Sequence, residues 1–152
     1  MYERALIAFR ETDDPWGSAR SLTDLGYIDC ERGEHLPAQA EFREALEIFS
    51  KLGHRRGTAR ALEGAACLAL ARGQAARALT LAAAAAHLRK LISAPLRQEE
   101  QLKLDSTLSP AWESLGVDGK VAWAVGSAMN MEQAIDFSLE RPTTAISRLQ
   151  DR

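Results

Sequence analysis

Three histidines, two cysteines and one adjacent pair of glutamates are the side chains here that could hold a metal or carry acid, base or nucleophile chemistry. His35, His54 and His87 lack the four-residue spacing that puts two ligands on one helix face. His35 and His54 fall in predicted turns, and His87 falls on an alanine-rich helix. Cys30 and Cys67 lie far apart within apolar, helical stretches, so they read as small buried hydrophobes in a reducing compartment. Glu99 and Glu100 are neighbours, and neighbours on a helix point in different directions, so they belong to a solvated face rather than to an acid/base pair. Gly116-Val117-Asp118-Gly119-Lys120 has some look of a phosphate loop, but its spacing is short and no strand precedes it, which leaves a turn between helices. No nucleophile elbow or Cys–His pairing is present. The expectation is no catalytic residue, no metal, no cofactor and no enzyme activity.

The elements that hold these side chains are expected to be helices. Hydrophobic residues make up 46% of the 152 residues and charged residues 26%, enough apolar content for one domain with a core. Alanine is abundant while valine, isoleucine and threonine are scarce, and alanine loses no side-chain entropy in a helix. The formal charge is −2, with arginines interleaved among acids, so no basic face is expected to meet nucleic acid. No leader pattern opens the chain, and the apolar stretch Ala75 to Ile92 is broken by Arg77, His87, Arg89 and Lys90, too polar to span a bilayer. A cytoplasmic protein without membrane or direct nucleic-acid contact is expected.

The chain repeats at an offset of 40 residues. Ala5-Leu6 falls on Ala45-Leu46, Phe9 on Phe49, Gly17 on Gly57, Ala19-Arg20 on Ala59-Arg60, Leu22 on Leu62, Arg32-Gly33 on Arg72-Gly73 and Ala38 on Ala78. Such a period marks a solenoid, in which each helix pair buries its apolar face against the next. Apolar residues recur at helical spacing, and Gly33, Gly53 and Gly73 each follow a periodic stretch where a left-handed cap wants glycine. Asp14-Pro15 reads as a helix cap followed by a first-turn proline, and Pro37 also suits a first turn. Helices are predicted at about 2–12, 15–32, 36–52, 55–72 and 75–92.

Leu22, Leu25-Gly26, Gly33, Ala38, Phe42 and Ala45-Leu46 follow the order and spacing of the tetratricopeptide repeat, which the chain resembles. The second unit is degenerate: Leu62, Ala65-Ala66, Gly73, Ala78, Ala82 and Ala85-Ala86. Ala82 stands where the family has an aromatic, which implies either a tighter contact or a poorer core. The long period, together with Ala82 to Leu96, Leu115-Gly116, Val121 to Gly126 and Met129 to Phe137, resembles the C-terminal helical regions of large bacterial predicted-ATPase and LuxR-type regulators. The resemblance runs from Tyr2 to about Leu139. It implies an all-α, right-handed superhelical stack of antiparallel helix pairs with a C-terminal helical cap, serving as the sensor or scaffold segment of a signalling or transcriptional regulator.

The expected organisation is repeats over 1–95, capping helices over 96–140 and a polar tail over 141–152. The repeats open on the second helix of a pair, as a fragment of a longer chain or a self-capped protein would. In the cap, a polar helix over about 97–108, with Leu102 and Leu108 as a thin apolar stripe, is expected to kink or break at Ser109-Pro110. Asp118 is expected to cap a short helix carrying Val121, Trp123 and Val125. Asn130 and Gln133 have capping-box spacing for a last helix through Leu139.

By the family pattern, the first helix of each pair lines a groove. That groove would present Arg20, Thr23, Tyr27 and Glu31 from one repeat, and Arg60, Glu63 and Cys67 from the next. Arg20 and Arg60 lie one period apart and could form a basic ladder for a carboxylate or acidic peptide. Equally, each could lie across its helix and pair with a nearby glutamate. Trp16, Trp112 and Trp123 are placed at or near helix starts, mostly as packing, with an exposed tryptophan marking a contact site. The expected partner is a protein, a peptide or a neighbouring domain of a longer parent chain. The alternative is homo-oligomerisation, as in a homodimer, through the exposed half-repeat edge.

Overall fold

The turns repeat as regularly as the residues. The computed structural model describes residues 2–11 and 14–141, which form eight helices and no strand. These are α1 (Tyr2–Glu11), α2 (Pro15–Glu31), α3 (His35–Leu52), α4 (Arg55–Ala71), α5 (Ala75–Leu91), α6 (Gln98–Leu115), α7 (Val117–Ser127) and α8 (Met131–Leu139). Asp14 starts α2 by accepting from the Gly17 N–H at 3.0 Å, and one period later His54 Nδ1 accepts from the Gly57 N–H at 3.0 Å. Each cap satisfies one of the orphan donors of a helix start. Pro37 sits in the first turn of α3, where its missing N–H costs nothing.

Gly33, Gly53 and Gly73 have φ of 78°, 64° and 76°. Behind each, the next residue's N–H bonds back to a carbonyl in the last helical turn: Glu34 to Asp29, His54 to Phe49, Gln74 to Ala69. The same bond joins Ala94 to Arg89 after α5, but there Ser93, at φ 53°, stands in the glycine's place. A residue with a Cβ in that conformation costs roughly 1–2 kcal/mol.

With such short turns α2 folds back on α3 and α4 on α5, while α3 lies on α4 and α1 on α2. Leu22, Leu46, Leu62, Leu79 and Leu81 are buried along this seam. Phe42 of α3 is wedged between α2 and α4, where Gly26 and Gly64 leave room for its ring and an added Cβ would collide with it. Phe49 lies over Gly57 in the same manner. Burying each ring contributes about 2–3 kcal/mol.

The second hairpin lacks these rings. Ala82 is buried, and α7 approaches the α5 backbone so closely that a Cβ at Gly126 would run into the Thr80 carbonyl. Gly119, Ala122 and Gly126 form the buried face of α7. Of the residues expected on this helix, Val121 and Val125 are exposed and Trp123 is half-buried, while the small residues take the contact.

Three further expectations for this region are corrected. Helix α6 runs through Pro110 without a break. Proline removes one helical bond, but Leu108 and Ala111 are buried on either side of it and hold the helix in place. Leu102 is 61% exposed, and the apolar stripe of α6 runs through Leu104, Leu108, Ala111, Trp112 and Leu115. Asp118 lies in the first turn of α7 and makes no cap; Gly116, at φ 55°, turns the chain between α6 and α7. The capping box of Asn130 and Gln133 forms as expected, with bonds of 2.8 and 2.9 Å. The C-terminal end of α8 is held by arginines: Arg77 donates to the Phe137 and Ser138 carbonyls and Arg43 to Leu139. Cations there satisfy the unpaired carbonyls and complement the helix dipole. Apart from Arg141, the expected polar tail lies outside the described residues. Among the described residues no helix is long and apolar enough to cross a membrane.

Candidate binding face

Helices α2 and α4 stand side by side and share one face, along which the second part of the chain returns as α6. Two clefts remain between them. One, of about 720 Å³, is lined by Trp16, Arg20, Asp24, His54, Arg56, Arg60 and Arg97 among others. The other, of about 510 Å³, is lined by Tyr27, Cys30, Glu31, Arg60, Glu63 and Cys67, with Leu96, Lys103, Leu104 and Thr107 opposite. All seven residues expected on the groove therefore line one cleft or the other, but they differ in what they have to offer.

Arg20 is exposed, and its guanidinium lies 5.5 Å over the Trp16 ring. Arg60 is paired: its Nη2 is 2.6 Å from Asp24 Oδ1, and the guanidinium sits 5.0 Å over the Tyr27 ring. The partner is thus an aspartate on the preceding first helix of a pair. Tyr27 donates its hydroxyl to the Arg60 carbonyl at 2.9 Å, and burial holds its pKa well above the ordinary value, so it stays neutral. Thr23 is only 1% exposed and donates to the Ala19 carbonyl at 2.8 Å, so it is a floor residue rather than a contact. Glu31 is exposed and faces Lys103 of α6 at 3.6 Å.

Glu63 is not available to a partner. Its carboxylate takes a two-pronged hydrogen bond from Arg89, at 2.6 and 2.8 Å, with both side chains about nine-tenths buried. Burial pushes the Glu63 carboxyl up and the Arg89 guanidinium opposes it. Arg89 also donates to the Ala94 carbonyl at 3.1 Å, tying α4 and α5 to the link that leads into α6.

Cys30 and Cys67 are half-buried rather than fully buried, and both are free thiols opening on the smaller cleft. Burial pushes Cys67 to about 11 and Cys30 upward as well. Such thiols are un-ionised at neutral pH and are poor nucleophiles. Among the described residues no cluster of three His, Cys, Asp or Glu side chains could hold a metal.

Trp16 is the exposed tryptophan, at 43%; its Nε1 donates to His54 Nε2 at 3.0 Å. His54 also receives the Gly57 N–H, and a neutral imidazole has one acceptor nitrogen, so its tautomer selects between holding Trp16 and capping α4. Trp112 and Trp123 pack together at 5.5 Å, one in the last turn of α6 and the other midway along α7, not at helix starts.

Arg89, Asp24, Lys103 and Arg97 complete the face and were missed in the sequence. A signal existed for one of them. At the 40-residue offset Arg89 falls on Phe49 and Glu63 on Thr23, so a charged residue replaces an uncharged core residue at both positions. Two such replacements in one repeat point to a buried pair.

No protein-family model matches this sequence, and no curated protein or solved structure is significantly similar to it.

Proposed function

We propose that this chain is a protein-binding module of tetratricopeptide type, without catalysis of its own, whose α2/α4 face receives a protein or peptide segment. The observation that carries this reading is the larger cleft. Arg20, Arg56, Arg60 and Arg97 converge there beside the exposed Trp16, with Asp24 and Glu100 as the acids on its walls. Arginine and tryptophan are the side chains that most often dominate protein contacts, and the excess of guanidinium groups favours an acidic segment. The place of such a module is the cytoplasmic sensor or scaffold part of a bacterial signalling or transcriptional regulator, where it would contact a partner protein or a neighbouring domain of a longer parent chain.

The test is affinity capture with the wild-type chain and with Arg20→Ala/Arg60→Ala, compared species by species. Loss of the same bound species from the variant, with unchanged helical content, supports the reading. Equal retention of every species refutes it. Homo-oligomerisation through the α1 edge has its own support in Ile7, 56% exposed on α1. A solution mass that rises with concentration, and falls back with Ile7→Ser, would favour that second reading.

A further inference from the structure

Helix α6 packs chiefly on α5 and more lightly on α4, and its first half overhangs the α2/α4 face. Its residues at 100, 103, 104 and 107 have the i, i+3, i+4, i+7 spacing of a single helix face, and that face lines the smaller cleft. The charges match in order along it. Glu100 accepts from Arg97 Nε at 3.0 Å and lines the cleft with Arg89, and Lys103 lies toward Glu31. Leu104 supplies the apolar contact between them.

The fit is nevertheless poor. The cleft of about 510 Å³ lies between this half of α6 and the face beneath it. Lys103 and Glu31 are 79% and 69% exposed, and an ion pair that wet contributes little. The buried anchors of α6, Leu108 and Ala111, both lie in its second half. Pro110 marks the junction, because it leaves the Ser106 carbonyl without its helical N–H donor.

We infer that the first half of α6 is a resident, displaceable occupant of a helix-receiving groove, and that the partner is an amphipathic helix carrying the same acid–three–base order, an acidic residue followed three positions later by a basic one and then by leucine. This rests on the reading of the α2/α4 face as a protein-binding surface and specifies what that face takes. The incoming helix would set its acid toward the arginines around Arg89 and its base toward Glu31, while the part of α6 before Ser106 swings away and Leu108 and Ala111 stay packed.

The two native cysteines report directly on this motion, since both open on the cleft beneath α6. The first measurement is the rate of Cys30 and Cys67 modification by a small thiol reagent in the full-length chain, wild type and Lys103→Glu, beside the global unfolding rate. Opening of α6 predicts labelling about three-fold faster in the variant than in wild type, at an unchanged unfolding rate, because its new glutamate repels Glu31. Equal labelling rates in the two proteins overturn the proposal. The second measurement titrates a fluorescent synthetic peptide with the sequence of residues 96–112 against the same proteins. Tighter binding to Lys103→Glu than to wild type, abolished by adding Glu31→Lys, supports the groove. Fast labelling without peptide binding to either protein overturns the helix-receiving groove but leaves the arginine cleft, tested by the capture experiment, standing or falling by itself.

Discussion

The two helical hairpins share a backbone plan and solve their packing with different chemistry. In α2–α3 the interior is filled by Phe42 and Phe49, each set against glycines that make room for a ring. In α4–α5 the equivalent positions are Ala82 and Arg89. The first of these is buried without an aromatic, beside a cleft that Leu104, Leu108 and Trp123 also line. The second is compensated by charge, with Arg89 held by Glu63 where the first hairpin has Phe49 and Thr23. A repeat therefore conserves the turns and the spacing of helices more strictly than the means of filling the space between them. Fold and site separate here as well: the hairpin that gave up its aromatic core gained the ion pair that ties the binding face to the link into α6.

The largest effects should come from breaking either solution. Phe42→Ala should destabilise the chain by about 3–5 kcal/mol, read as a denaturant midpoint, because the glycines around the ring cannot collapse into the cavity. Glu63→Leu should cost about 3–5 kcal/mol by stranding a buried guanidinium, whereas Glu63→Thr with Arg89→Phe, which imports the first hairpin's residues, should recover most of that loss. Failure of the pair to outperform the single variant would mean that the two hairpins are not interchangeable solutions.

Next comes the close approach itself. Gly126→Ala should cost about 1–3 kcal/mol by forcing α7 away from the Thr80 carbonyl.

A smaller effect separates the hairpins by pH. On α3, burial and the nearby Asp29 carboxylate push Glu41 up to about 8, and one of its carboxyl oxygens is buried without a partner. Its folded pKa is above the unfolded one, so its contribution to stability is full below the ordinary glutamate range and is lost as pH rises toward and through about 8. The melting temperature should fall across that window, and Glu41→Gln should flatten the fall without altering the Glu63–Arg89 pair. The smallest effect is a gain: Ser93→Gly, restoring the residue found at Gly53, should add about 1 kcal/mol to stability, provided the glycine's greater freedom in the unfolded chain does not cancel it.

Much of this plan was legible in the sequence. The bounds of α1 to α5 follow from glycine, proline and cap residues, which act locally and repeat at a fixed offset. The errors fall after Pro95, where the repeat ends. Pro110 was read as a break because the rule for proline is local, while the packing of Leu108 and Ala111 that overrides it is tertiary. The buried face of α7 is not legible either: Val121 and Val125 are its larger apolar residues, yet Gly119, Ala122 and Gly126 are the buried ones, because they admit the neighbouring backbone. At the site, the repeat offset located the face but not the state of its side chains. Thr23 is spent on its own helix and Glu63 on Arg89, and nothing in the local pattern of 98–107 says that this polar helix returns to lie over α2 and α4.

The claim at the centre of this account is that the α2/α4 face is the surface that meets a partner. Photo-crosslinking tests it most directly, with a photoreactive residue placed in turn at Arg20 and Arg56 on that face and at Gln39 and Arg43 on the opposite side. The account predicts adducts to one common protein or segment from Arg20 and Arg56 and none from Gln39 or Arg43. Adducts from Gln39 and Arg43 alone would contradict it and move the binding surface to the side where α8 docks.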